Sequence, residues 1–260
     1  MEDHLRVTLP SGEVQRHALC DRSDGRPTFL PLQAGAGAAG AGGPLPPDYD
    51  GWLEYTAFKD ASAAGFDSFL GDFSVPDAPQ NDPQILYLFT GLQNIDWIPK
   101  VDPEPSTPFD IIQPVLQYPG DWGNYWSVKS WYVTLNSGAT ASTEVKVAAG
   151  DTIFGNMTRV GDQSWFIGST SVATGKSTTT TATHPRLATQ PWAYNTLECY
   201  GCQDCSTYPQ KPSQFTKLAI TQDQSPVSVT WEANPKPAQD RKCHESLDII
   251  SGEAVTISFQ

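Results

Sequence analysis

Short runs of β-branched and aromatic residues, each cut off by a turn signal, recur along most of this 260-residue chain. No stretch shows helical periodicity with caps. Eleven runs read as strands: 85–92, 111–118, 125–135, 142–148, 152–158, 164–170, 177–183, 193–200, 215–221, 227–232 and 254–259. Pro119-Gly120-Asp121, Asn136-Ser137-Gly138, Gly150-Asp151, Gly161-Asp162 and Ser251-Gly252 separate several of them. With 22 Pro and 21 Gly the chain favours tight turns over helices. The pattern predicts an all-β fold, an antiparallel sandwich or barrel.

Residues 34–47, rich in Ala, Gly and Pro, read as a linker. Gly35, Gly37 and Gly40 match a dinucleotide-binding pattern, but no apolar strand precedes them and prolines follow, so the match is rejected. The division expected is an N-terminal arm or pro-segment over 1–50, with a hairpin around Leu9-Pro10-Ser11-Gly12, and a β-sandwich over 51–260.

The net charge of −13 repels phosphate backbones and anionic surfaces, so no nucleic acid partner is expected. No apolar run is long enough for a membrane span, so no membrane is expected either. The acidic balance suits a protein working at low pH. A monomer is expected, with no cofactor.

Two strand-like segments hold polar side chains in aromatic frames. In 111–118, Gln113 and Gln117 share one face while Ile112 and Leu116 share the other. In 195–200, Glu198 shares a face with Thr196 and Tyr200, opposite Leu197. Such a face is either solvated or the floor of a site.

Several motifs then follow in order. Gly71-Asp72-Phe73-Ser74-Val75-Pro76, Leu88-Phe89-Thr90-Gly91-Leu92-Gln93, Val115-Leu116-Gln117-Tyr118, Trp131-Tyr132, Ala149-Gly150-Asp151-Thr152-Ile153 and Leu197-Glu198 resemble the motifs of the eqolisin-type glutamic peptidases, or of an uncharacterised sister family. The resemblance covers roughly 200 residues, with 81 positions from Gln117 to Glu198. It implies an antiparallel double-sheet β-sandwich of the concanavalin-A-like, jelly-roll type. It also implies a hydrolase that cleaves peptide bonds in the acid range, with Gln117 and Glu198 as catalytic residues. Ser130 departs from the family's acidic residue before Trp-Tyr, which bears on substrate binding. The two-glutamate neprosin version does not fit, because position 117 is Gln.

A carboxylate can take a proton from water and return it to the leaving amine. A Gln amide N–H can stabilise the oxyanion. An ordinary Glu titrates at about 4.3, which suits acid conditions. Phe89, Gln93, Tyr125, Trp131, Tyr132 and Tyr200 are the candidate substrate-binding residues, lining a sheet groove for a peptide or other small substrate. Two other readings stay open. One is a non-catalytic secreted sandwich that binds a glycan or another ligand through the aromatic groove. The other is acid–base chemistry on a small molecule at the same Gln/Glu site. No Glu-x-Asp-x-x-Glu strand is present, which disfavours a glycosidase.

Of five cysteines, Cys205 and Cys243 are the favoured disulfide, with a bridge through Cys199 or Cys202 as the alternative. Zinc ranks last among the readings, and no metal is expected. A disulfide implies an oxidising compartment. The expected localisation is therefore secreted, with a leader not visible in this chain, and cytoplasmic as the alternative.

Overall fold

The computed structural model describes residues 49–62, 64–81, 84–103, 105–134, 138–236 and 243–259, and the backbone of 4–8 and 14–18. The linker and most of the N-terminal arm lie outside the described residues. In that arm β1 (His4–Thr8) pairs antiparallel with β2 (Val14–Ala18) as a hairpin.

The strands that follow are β3 (Tyr49–Lys59), β4 (Ser68–Ser74), β5 (Ile85–Gln93), β6 (Asp110–Tyr118), β7 (Ser127–Thr134), β8 (Gly138–Ala141), β9 (Val145–Lys146) and β10 (Thr152–Gly161). Then come β11 (Ser164–Ser171), β12 (Ser177–Thr183), β13 (Trp192–Tyr200), β14 (Ser213–Gln222), β15 (Ser225–Pro226), β16 (Glu232–Ala233), β17 (Ser246–Ser251) and β18 (Ala254–Ser258). They form two eight-stranded antiparallel sheets. The first runs β12-β11-β10-β4-β14-β18-β17, with β15 added on β14. The second runs β16-β3-β13-β5-β6-β7-β8, with β9 added on β7. The fold is an open double-sheet β-sandwich. Among the described residues no helix is long and apolar enough to cross a membrane.

Alternation along each strand builds the inter-sheet core. Phe69, Phe73, Ile153, Met157, Trp165 and Phe215 of the first sheet meet Leu86, Leu88, Ile112, Leu116, Val128 and Leu197 of the second. At one point the sheets come especially close. A Cβ on Gly155 would lie 2.8 Å from Cγ of Pro114, so only glycine fits there. Pro114 itself, which has no N–H to give, falls in a gap of the β5–β6 ladder between Phe89↔Val115 and Leu92↔Ile112.

Two expected strands differ from the structure. Residues 227–231 join no ladder, because they cross from β15 in the first sheet to β16 in the second. Residues 142–144 likewise stay outside a strand, and only Val145–Lys146 pairs. β3 and β17 carried no clear period of two. β3 has bulges opposite Leu197/Glu198 and Cys199/Tyr200, so Leu53 and Glu54 both point inward. β17 is a mostly exposed edge strand.

The β3–β4 connection is held by one carboxylate. Asp60 accepts from Ser62 N (2.9 Å), Gly65 N (2.8 Å) and Gln222 Nε2 (2.6 Å), the last from β14. Burial raises its carboxyl, but the hydrogen bonds outweigh burial and hold it below the usual range. A depressed folded value stabilises the protein above the unfolded value of about 3.9, and the benefit is lost as pH falls through the folded value. Asp60→Asn is therefore expected to lose on the order of 1–3 kcal/mol at pH 6 and much less at pH 2. Urea midpoints across that range check it.

Candidate active site

The outer face of the second sheet is as buried as the inner one. All nine residues of β6 are buried, on both sides of the strand. A second apolar cluster explains part of this: Trp52, Tyr55, Phe89, Ile111, Val115, Trp131 and Tyr194 project outward, and Trp97, Ile98 and Phe109 from the β5–β6 connection pack with them. Gln93 holds that connection in place. Its Nε2 donates to Ile95 O (2.7 Å) and Trp97 O (2.9 Å).

The rest of this face is polar. In the ladders, Tyr87 of β5 lies directly opposite Gln117 of β6 and directly opposite Glu198 of β13. Directly opposed residues share a face. Gln117, Tyr87 and Glu198 thus form one row across three strands. The two ends of the row are two strand spacings apart, about 9–10 Å between Cα atoms. The three residues are 5%, 8% and 8% exposed, respectively.

Both ends of the row are anchored. Glu198 faces Trp52 where the first β3 bulge falls, and bulges re-aim neighbouring side chains. The next residue, Cys199, is bonded to Cys202. The Asp50 carboxylate accepts from Cys202 N at 2.7 Å. A second disulfide joins Cys205 to Cys243. The ligand atoms of Asp50, Cys199 and Cys202 lie within 4.8 Å of one another. Both sulfurs are spent in one disulfide, however, so the trio offers no thiolate to a metal.

At the other end, Gln117 Nε2 donates to Asp121 Oδ1 at 3.4 Å, and Lys129 Nζ reaches the same oxygen at 2.6 Å. Lys129, only 7% exposed, also lies 5.5 Å from the Trp131 ring centroid. The turn that presents Asp121 is fixed by Glu144, which accepts from Asp121 N (2.8 Å) and Tyr125 OH (2.6 Å). The Tyr125 ring packs where a Cβ on Gly120 would be, at 2.2 Å. Burial and the Glu144 carboxylate push the Tyr125 phenol up to about 12. Tyr125 is therefore a strut of the site's rim, donating to Glu144.

Several buried polar atoms on this face have no hydrogen-bond partner among the described residues: Gln117 Oε1, Ser127 Oγ, Trp131 Nε1 and Thr196 Oγ1. Buried polar groups are normally satisfied, so these four atoms keep hydrogen-bonding capacity to offer.

The remaining expected residues divide between the two faces. Tyr200 is on the outer face, its ring edge-on to Tyr87 at 6.1 Å between centroids. Trp131 is there too, beside Gln113 in the ladder. Phe89 is on that face but fully buried in the apolar cluster. Tyr132 points the other way, packs against the inter-sheet core and donates to Asp110 Oδ1. Asp110, fully buried, is also bound by Arg186 Nε, while Arg186 Nη2 donates to Thr134 Oγ1 at 2.6 Å. Burial first, then the Asp110 carboxylate, holds the Tyr132 phenol well above its ordinary value. Arg186→Leu should leave a buried carboxylate without its arginine and cost on the order of 3 kcal/mol, read as a lower denaturant midpoint.

No protein-family model and no curated protein matches the sequence. Solved structures do match. A crystal structure of scytalido-glutamic peptidase with a transition state analog inhibitor aligns at TM-score 0.57 and 16% identity, over 82% of this chain and 100% of that one. SCP-B, a member of the eqolisin family of peptidases in complex with the tripeptide Ala-Ile-His, aligns at TM-score 0.52 with the same identity and coverage. The sandwich is the one these glutamic peptidases share.

Proposed function

We propose that this chain is a glutamic-peptidase-like hydrolase whose reacting groups are Gln117 and Glu198. The observation that supports it most is the single row Gln117–Tyr87–Glu198 on a buried, partly unsatisfied sheet face. Composition alone does not require a carboxylate and an amide to fall in one row there. In the proposed reaction the Glu198 carboxylate takes a proton from the attacking water. The carbonyl π pair moves onto oxygen as the new C–O bond forms. Gln117 has two amide hydrogens. Asp121 holds one, which leaves the other for the oxyanion. When the C–N bond breaks, Glu198 returns its proton to the leaving amine. Two disulfides fit the secreted location expected for such an enzyme.

The burial of the row favours a second reading, in which the same groups act on a small molecule or short peptide. A site whose reacting groups are less than a tenth exposed admits a small amide more easily than an unfolded chain. The glycan reading has less support. Trp52, Trp97 and Trp131 are each at most 5% exposed and pack within the apolar cluster, so they offer no open ring face for a sugar.

The test is cleavage of an unfolded protein and of short peptides from pH 2 to pH 7 by wild type, Glu198→Gln and Gln117→Leu. Acid-range cleavage is expected, abolished by Glu198→Gln and reduced about 10²–10³-fold by Gln117→Leu. Cleavage of short peptides alone would favour the small-substrate reading. Absence of cleavage of either by folded wild type would sink the hydrolase proposal.

A further inference from the structure

The residue at the centre of the row has no counterpart in a two-group mechanism. Tyr87 stands between Gln117 and Glu198, opposed to both in the ladders, with Cβ spacings of about 4.5–5.5 Å expected for such pairs. Its ring is 8% exposed and is braced edge-on by Tyr200. The charges of Glu198, and of Asp121 that holds Gln117, both act on its phenol, which ties the hydroxyl to both ends of the row. A substrate carbonyl lying across the row would have to meet it.

Resting on the hydrolase reading above, we propose that the Tyr87 hydroxyl is a third catalytic group, a neutral hydrogen-bond donor that shares the developing oxyanion with the Gln117 amide. Glu198 handles the protons, and Tyr87 keeps its own throughout. In the first step a water O–H bond breaks toward Glu198 and the C–O bond forms. The negative charge that appears on the carbonyl oxygen is met by two donors, one N–H and one O–H. Collapse breaks the C–N bond and the proton passes from Glu198 to nitrogen, so atoms and charge balance with no other reactant. Burial first, then the charges of Glu198 and Asp121, hold the phenol well above its ordinary value. It therefore stays protonated over the whole working range, as a donor must.

Tyr87→Phe keeps the ring, its contact with Tyr200 and its volume, and removes only the hydroxyl. Wild type and the variant are compared by kcat, KM and the pH profile of kcat. They are also compared in binding a peptide that carries a phosphinate in place of the cleaved amide. A fall of about 10²–10³-fold in kcat is expected, with KM and the pH profile unchanged and phosphinate binding weakened in proportion. A merely structural tyrosine would lower the thermal midpoint and leave these ratios alone. A tyrosine acting by positioning Glu198 would shift the pH profile.

Activity in Tyr87→Phe equal to or above wild type overturns the inference while the Gln117/Glu198 reading stands. So does a shifted pH profile without loss of phosphinate affinity. Loss of all cleavage in wild type itself overturns both. Should the Phe variant fold poorly, Tyr87→Gln decides. Retention of activity within about tenfold supports a donor role, and a loss as deep as that of Glu198→Gln overturns it.

Discussion

A polar side chain buried from water costs free energy until it finds a partner. The outer face of the second sheet holds Gln113, Gln117, Lys129 and Glu198 all less than a tenth exposed. Much of the local architecture is arranged around that cost. Asp121 receives Lys129 and one hydrogen of Gln117, and Glu144 fixes the turn that brings Asp121 there. The apolar part of the same face is closed by Trp97, Ile98 and Phe109. Gln117 Oε1 and Ser127 Oγ beside it are among the buried polar atoms left with no hydrogen-bond partner among the described residues.

The two ends of the row are held by different means. Glu198 is aimed by backbone: a bulge in β3, then a disulfide beginning at the next residue and tied to Asp50. Gln117 is aimed by side chains, through an ion pair on a tight turn. Below them, on the inner face, Pro114 and Gly155 bring the sheets together. Asp110 with Arg186 and Tyr132 clamps the far end of β6. A site on sheet strands, with both faces packed, is stiffer than one on loops.

Much of this was legible in the residues. The period of two placed Gln113 with Gln117, and Glu198 with Thr196 and Tyr200, on common faces, and turn signals delimited most strands. Trp131 and Tyr132, adjacent on one strand, must take opposite faces, but the sequence does not say which of them faces the core. Burial of both faces erases the polar-out pattern that would have decided it. Tyr87 was missed although its strand was recognised, because a row across β6, β5 and β13 depends on inter-strand register, and register is a long-range property. β3 was missed because its bulges put Leu53 and Glu54 on one side and broke the alternation. Asp121 entered only as a turn residue, and nothing in the sequence ties Lys129 to it. Only their meeting over Gln117 gives them a role.

The four-residue loop from Cys199 to Cys202 starts one residue beyond Glu198. The placing of the Glu198 strand end is thus tied to the oxidation state of the neighbouring cysteine pair. With that bridge reduced, the ladders of both sheets remain available, but the end of β13 loses its covalent tie beside Glu198. Cysteine oxidation is thereby a constraint on the geometry of this sheet face as well as on the stability of the fold.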